Sequence, residues 1–250
     1  VMNKDLASHR DELFISSKAG HTMWPGVYGG NSSRKNLIAS CNASLKRTGL
    51  EYFDVFYSHR YDGVTPIEET MQALIDIVSG KALYAGISKY PPKEQEYAYR
   101  ILSEAKVPCL VSQYRYSMFD TDSAKNNFEV AASNGSGITV FSPLAQGLLT
   151  DKYLHGIPAN SRAAKSTGFL QLSQVTDEKI AKARKLNEIA ARRGQTLAQM
   201  AIAWILNDKR VTSVIIGASS VNQLLANLQA LDAPSFSPEE LKTIASVLGE

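Results

Sequence analysis

Cysteine is scarce in this chain, with Cys41 and Cys109 the only two among 250 residues. Both lie inside apolar stretches and form no C-x-x-C pair, which argues against a disulfide framework and against a thiolate metal site. They read as buried free thiols in a reducing compartment, so the expected location is cytoplasmic and no metal is expected. Long apolar runs are also lacking. Nothing approaches the ~18 residues that a bilayer-spanning helix needs, and the opening Val1-Met2-Asn3-Lys4-Asp5 carries no apolar signal region. Charge of one sign is nowhere massed. The 27 Lys and Arg against 24 Asp and Glu leave a net +3, and basic residues gather only in short pairs such as Arg192-Arg193. A nucleic-acid or membrane partner is therefore not expected. The partner to look for is a small molecule, and composition leaves a homo-oligomer open.

What the chain does have is 44% apolar and 20% charged residues over a length that suits one undivided domain, residues 1–250. Short β-rich runs recur at Leu13 to Ser17, Phe53 to Ser58, Leu83 to Ile87, Cys109 to Gln113, Ile138 to Ser142 and Val214 to Gly217. Helical punctuation lies between them. Thr65-Pro66-Ile67-Glu68 reads as a capping box with Pro at the first helical position, followed by Met71, Leu74 and Val78 on one face and by Gly80 as terminator. Ser33 to Lys46 repeats the pattern, Thr176 to Arg193 ends at Gly194, and Thr196-x-x-Gln199 opens a further helix. Such alternation, with continuously apolar strands, predicts a parallel sheet covered by helices. The fingerprint G-x-G-x-x-G is absent after the first strand, where Ser17-Lys18-Ala19-Gly20 stands, so the fold class predicted is α/β of the (β/α)8 TIM-barrel type rather than a doubly wound sheet. About six of eight strands are present. The polar segment from Pro143 to Gln174 reads as a loop that hides none, so the first two βα units are expected to lie before Val1.

In such a barrel the working residues stand at the C-terminal ends of the strands. The first strand ends in Ser17-Lys18 and the second in Ser58-His59-Arg60. Ser88-Lys89, Gln113, Ser142-Pro143-Leu144 and Gly217-Ala218-Ser219 end the others. Lys18 and His59 should close neighbouring strands about 4.8 Å apart, placing both in one mouth. A lysine there favours the ionised form of a nearby hydroxyl or positions an anion, while an imidazole donates a hydrogen bond to a carbonyl oxygen. The plainer readings are a solvated strand-end lysine and a packed surface histidine. Trp24, Arg60 and Tyr61 are candidate contacts for a small aldehyde, or simply surface packing. A Gly-Ala-Ser turn opening a helix offers N–H groups and a positive dipole end to an anion. Gln223 in Ser220-x-x-Gln223 also has the ordinary role of closing its own helix.

In context these residues resemble the aldo-keto reductase superfamily, in the branch that holds bacterial glyceraldehyde-3-phosphate-type reductases and the β-subunits of voltage-gated potassium channels. The resemblance covers almost the whole chain. It rests on Phe14-Ile15-Ser16-Ser17-Lys18-Ala19-Gly20, on Ser44 to Tyr52 running into Asp54 and Tyr57-Ser58-His59-Arg60, and on Gly80-Lys81-Ala82-Leu83-Tyr84 with Gly86-Ile87-Ser88. Phe141-Ser142-Pro143-Leu144-Ala145-Gln146-Gly147-Leu148-Leu149-Thr150, Lys152-Tyr153 and Ile216-Gly217-Ala218-Ser219-Ser220 complete it. The resemblance implies hydride transfer from NADPH to an aldehyde or ketone, with Lys18 as the family's lysine and His59 as its histidine. It implies that Ser88 and Gln113 hold the carboxamide end of the cofactor and that Ser142, Pro143, Leu144, Gln146, Gly147 and Lys152 line its ribose and pyrophosphate. Arg162, Gly217, Ser219, Gln223 and Asn227 are implied at the adenine end and its 2′-phosphate.

Three departures stand out. Lys89 follows Ser88 where Ser, Asn or Arg is usual. Ala226 replaces an acidic residue that often meets the adenine amine, which removes a hydrogen bond worth about 0.5 to 1.5 kcal/mol. The family's proton-donating tyrosine and its aspartate match nothing before Lys18. Tyr57, a layer deeper than His59 on the same side of its strand, and Tyr28 in the Gly-rich loop are not expected to substitute. The expectation is an N-terminally incomplete NADPH-dependent reductase of small carbonyl metabolites, phosphorylated ones included, whose own activity is in question. A nucleotide-binding regulatory subunit of the channel β type and a truncated inactive homologue are the alternatives.

Overall fold

The computed structural model describes residues 1–158 and 170–249. Strand and helix alternate in the order β1 (Ser16–Ala19), α1 (Arg34–Thr48), β2 (Phe53–Ser58), α2 (Ile67–Val78), β3 (Ala82–Ser88), α3 (Pro92–Glu104) and β4 (Cys109–Arg115). Two short helices, α4 (Asp122–Asn126) and α5 (Phe128–Ser133), lead to β5 (Gly137–Phe141); α6 (Asp177–Arg192), α7 (Leu197–Asn207), β6 (Val211–Val214), α8 (Val221–Leu228) and α9 (Pro238–Leu248) follow. This is the α/β fold that the alternation predicts, and six strands of the barrel order lie among the described residues. The chain forms two compact units, residues 1–114 with 125–138 and residues 115–124 with 139–250. Among the described residues no helix is long and apolar enough to cross a membrane.

In the first unit β1 pairs with β2, β2 with β3 and β3 with β4, all parallel. Every residue of β2 is buried, as expected of a strand covered on both faces. That burial includes Asp54, whose carboxylate is paired with Arg10 at 3.0 Å and accepts the Ile15 N–H at 2.7 Å. The Arg10 guanidinium also donates to the carbonyls of Leu13 and Tyr52 and lies over the Tyr52 ring. These side-chain bonds hold the backbone at Leu13 to Ile15, so the first strand begins at Ser16 and runs to Ala19, later than the run Leu13 to Ser17 suggests.

The helix ends follow local chemistry in most places. Ser33 accepts the Asn36 N–H at the start of α1, and Gly49 takes a left-handed φ of 71° at its end, a conformation that costs glycine nothing. At α2 the expected capping box does not form. The Thr65 hydroxyl instead donates to Asp62, whose carboxylate also collects the N–H groups of Val64 and Thr65, and Pro66 sits at the cap rather than inside the helix. The buried face of α2 carries Met71, Leu74 and Ile77, with Val78 turned partly outward.

The second unit packs α6, α7 and α9 around Leu186, Ile189, Leu197, Met200 and Ile244. The Thr196–Gln199 box closes on both sides, and Ser237 with Glu240 forms another at α9. Within residues 143–158 and 170–174 the loop is built of single 3-10 turns; Leu148, Tyr153 and Leu170 pack on one another, while Leu149 and Leu154 join the cluster of α6, α7 and α9. The strand expected at Val214 to Gly217 lies three residues earlier, at Val211–Val214. Ile215 makes one further bond, to the Val140 carbonyl, and the chain then leaves the ladder.

Asp54→Asn removes the charge that Arg10 is buried against. The expected loss is about 1.5–3 kcal/mol in urea unfolding followed by circular dichroism, whereas a change inside the ~0.5 kcal/mol span of ordinary surface substitutions would show the pair to be dispensable.

Candidate active site

In the first unit one register row runs across four strands: Lys18 on β1, Tyr57 on β2, Gly86 on β3 and Val111 on β4. His59 and Gln113 stand two residues further on along β2 and β4. The Lys18 Nζ donates to Gln113 Oε1 at 2.9 Å. The Gln113 carbonyl accepts the Ser88 hydroxyl at 2.7 Å and the Lys89 N–H at 3.3 Å. Ser88 and Gln113 are buried, which fixes both at the floor of the mouth. The His59 N–H continues the ladder to the Ala19 carbonyl, and its ring meets that of His21 edge-on, with centroids 4.2 Å apart. The pairing of strands thus brings Lys18, His59, Ser88 and Gln113 together as the sequence suggests.

Electrostatics are set by burial among like charges. Burial holds the Lys18 ammonium below the usual lysine range, and Lys89 adds to the effect. The His59 imidazole is pushed down to about 4, first by burial and then by the charges of His21, Lys89, Lys18 and Arg60. His21 is lowered for the same reason, with Arg60 and Lys89 as its charged neighbours. Both rings are therefore neutral at neutral pH. A neutral imidazole keeps one N–H to donate and gives no net charge to a bound carbonyl. His21 was not among the residues the sequence singles out for this mouth, and Lys89 was noted at its strand end only as a departure beside Ser88. The one available signal for His21 was its place, three residues past Lys18.

The candidate substrate contacts fall in different places. Trp24 is half-buried in the loop after β1, which folds so tightly that a Cβ on Gly29 would lie 1.8 Å from the Trp24 carbonyl oxygen. The Arg60 guanidinium donates to the carbonyls of Gly20 at 3.1 Å and Gly30 at 3.5 Å, tying that loop to the end of β2. Tyr61 meets the Tyr90 ring at a tilt of 47°, centroids 5.9 Å apart, and lines a surface groove of about 760 Å³ with Val64, Glu68, Tyr97 and Arg100. That groove is the largest one described, yet neither Lys18 nor His59 lines it. Tyr28 is exposed beneath Lys35.

Because the folded pKa of His59 is depressed, its neutral form stabilises the fold above the ordinary 6.5, and that contribution is lost as pH falls towards about 4. An NMR titration should place the His59 midpoint near 4. A midpoint at the ordinary histidine value would mean that the ring is solvated and the surrounding charges are not felt.

In the second unit Ser142, Pro143, Leu144, Gln146, Gly147 and Lys152 line one groove of about 530 Å³. Gly217, Ser219 and Gln223 line the same groove with Ala218 of the same Gly-Ala-Ser turn, together with Thr150, Ile215 and Ile216, to which the sequence reading gave no role. The chain leaving β5 is bent hard there: Ser142, Ala145 and Gln146 take φ of 60°, 45° and 60°, and Gly147 takes 106°. Left-handed backbone at non-glycine residues persists only where the surroundings impose it. Here Thr150 imposes it in part, donating its hydroxyl to the Gly147 carbonyl at 2.7 Å. At α8, Ser220 accepts the Gln223 N–H, while Gln223 Oε1 accepts the Ser219 N–H at 2.7 Å and its hydroxyl at 3.0 Å. Gln223 thus closes the turn into its own helix. Asn227 is buried in the body of α8 and its amide Nδ2 has no hydrogen-bond partner among the described residues. Arg162 lies outside the described residues.

Residues 2–248 match the aldo/keto reductase family. Over 98% of its length the chain is 49% identical to L-glyceraldehyde 3-phosphate reductase of Escherichia coli strain K12, spanning 72% of that protein. It is 36% identical over 254 residues to a probable voltage-gated potassium channel subunit beta of Oryza sativa subsp. japonica, again over 98% of the chain and 76% of the relative. A putative subunit of the same kind from Schizosaccharomyces pombe shows 36% identity over 258 residues, 98% of the chain and 74% of that protein. With parallel βα order, a lysine and a histidine at neighbouring strand ends and a family match over nearly its whole length, the chain belongs to the aldo/keto reductase family of oxidoreductases.

Proposed function

We propose that this protein is an NADPH-dependent reductase of aldehydes or ketones of small metabolites, phosphorylated ones included, and that Lys18 and His59 form the reacting end of its site. The observation that carries this reading is the Lys18 ammonium bonded to Gln113 beside an imidazole held neutral. Similarity to a protein named for L-glyceraldehyde 3-phosphate supports the substrate class. In the same reading residues 1–250 act as one barrel domain, and the buried thiols Cys41 and Cys109 suit a cytoplasmic protein.

The residues present fit the cofactor. The buried Asn227 amide, without a partner among the described residues, has the donor that an adenine ring nitrogen accepts, and the backbone N–H groups of Gly217 and Ala218 precede the N-terminus of α8, where anions are favoured. Lys152 adds a cation to that groove. Ser88 and Gln113 hold the carboxamide end, Gln113 being fixed by Lys18 on its side chain and by Ser88 on its carbonyl. When bound, the nicotinamide supplies the hydride. The His59 N–H polarises the substrate carbonyl, and the Lys18 charge stabilises the oxygen anion that develops or the ionised form of a neighbouring hydroxyl. The tyrosine and aspartate of the family match no position among these 250 residues, so orientation and polarisation are assigned to the chain and the proton donor is not.

Likeness to potassium-channel β-subunits favours one other reading, a nucleotide-binding regulatory subunit. NADPH fluorescence titration and methylglyoxal-dependent NADPH oxidation, made on one sample of known intact mass, separate the two. Turnover of about 1 s⁻¹ or more is the reductase result. Binding without turnover at the mass of these 250 residues withdraws catalysis for this polypeptide and leaves nucleotide binding.

Two variants sharpen the test. His59→Gln is expected to lower turnover by roughly 10²- to 10⁴-fold while leaving NADPH affinity nearly unchanged; equal loss of both would move His59 out of the reacting end. Gln146→Gly relieves a left-handed φ of 60°, so thermal unfolding should show a gain of about 1 kcal/mol, with weaker NADPH binding because the groove loses a side chain. A gain in stability with unaltered binding would take Gln146 out of the nucleotide site.

A further inference from the structure

We propose that Tyr57 is a positioning residue whose ring, laid across the Cβ-less Gly86, sets the height at which Lys18 crosses the strand ends to reach Gln113. The proposal rests on the reading of Lys18 as a site residue and adds what holds it in place.

Two strands, β2 and β3, lie between the β1 that carries Lys18 and the β4 that carries Gln113. At about 4.8 Å per strand, three spacings amount to roughly 14 Å along the sheet. The Lys18 Nζ nevertheless stands 2.9 Å from Gln113 Oε1. Curvature of the sheet and the length of both side chains close that gap, and where they meet the Lys18 Nζ lies over the Tyr57 ring, 5.2 Å from its centroid. Lys18 and Tyr57 are direct partners in the β1–β2 register, and Tyr57 and Gly86 in the β2–β3 register.

Gly86 is what lets the ring lie low. A Cβ there would fall 2.6 Å from Tyr57 Cδ1, 2.7 Å from Cε1 and 2.9 Å from Val55 Cγ1, inside any real contact distance. The ring is buried and packs with Val55 and Val111, so it cannot sink further to make room. A side chain at position 86 would lift it into the path of the lysine. A register shift between Ala85 and Gly86 puts an irregularity at the same point of the ladder, the kind of feature that re-aims side chains. The face of an aromatic ring attracts an ammonium, and here it does so where burial and the Lys89 charge both disfavour that ammonium. Ring and Gln113 oxygen together offset that penalty and leave Lys18 one position.

The full chain, reductively methylated with ¹³C-formaldehyde, tests this first without substitution. The Lys18 dimethyl signal, assigned by its loss in Lys18→Arg, is expected upfield of the other lysines through the ring current of Tyr57. Tyr57→Phe should keep that shift. Tyr57→Leu should abolish it and speed acetylation of Lys18 by roughly fivefold, the loss of one cation–π contact. Should Tyr57→Leu not fold, Gly86→Ala decides, since a lifted ring must move the Lys18 signal. An unshifted Lys18 signal in the unsubstituted protein overturns the proposal, as does Tyr57→Phe behaving like Tyr57→Leu or Gly86→Ala leaving the signal in place. NADPH titration of the same samples reads the parent assignment separately, because the shift is measured without nucleotide.

Discussion

Parallel strands cannot be joined by tight turns, and the helices that return the chain cover the faces of the sheet. In the first unit this leaves β2 buried along its whole length, Asp54 included, and the strand interior has no room for polar side chains that lack a partner. The ends of the strands are the one place where polar groups from several elements can meet. Lys18, His59, Ser88 and Gln113 meet there because β1 to β4 all point the same way. Reverse one strand and the group is dispersed.

The mouth so formed is crowded with cations. Lys18, Lys89 and Arg60 surround two imidazoles, and each charge makes the next harder to add. Desolvation is the larger effect at Lys18, His59 and His21, with neighbouring charges second. The result is a site that arrives at neutral pH with its imidazoles uncharged and ready to donate, while Lys18 is held by Gln113 on one side and an aromatic face on another. The second unit uses different means. Its groove depends on backbone bent into left-handed conformations at Ser142, Ala145 and Gln146 and on an α8 start closed by Gln223.

Features governed by neighbours in sequence were legible. The Ser33 cap of α1, the Thr196–Gln199 box of α7 and the extent of β2 all follow from residues within a few positions of one another, so the chain itself carries the information. Where a distant group offers a better bond, local reading fails. Asp62 outbids Glu68 for Thr65 and its neighbours because one carboxylate satisfies four donors at once, the Ser32 N–H among them. Arg10 and Asp54 delay β1 across a gap of more than forty residues, and β6 sits three residues early because Ile215 to Gly217 turn to line the groove instead. Tyr61, adjacent to the reacting strand end in sequence, packs on Tyr90 and faces another groove.

The sequence by itself determined the fold class, the family and the identity of the strand-end residues, because periodicity, caps and ordered motifs are written in contiguous stretches. Only the tertiary structure decided that Lys18 reaches Gln113 over the Tyr57 ring, that His21 stands edge-on to His59, and that the Asn227 amide is buried with no partner among the described residues. Those outcomes depend on which strand lies beside which, on the room left by a missing Cβ at Gly86 and on how much water burial removes, none of which is set by residues adjacent in the chain.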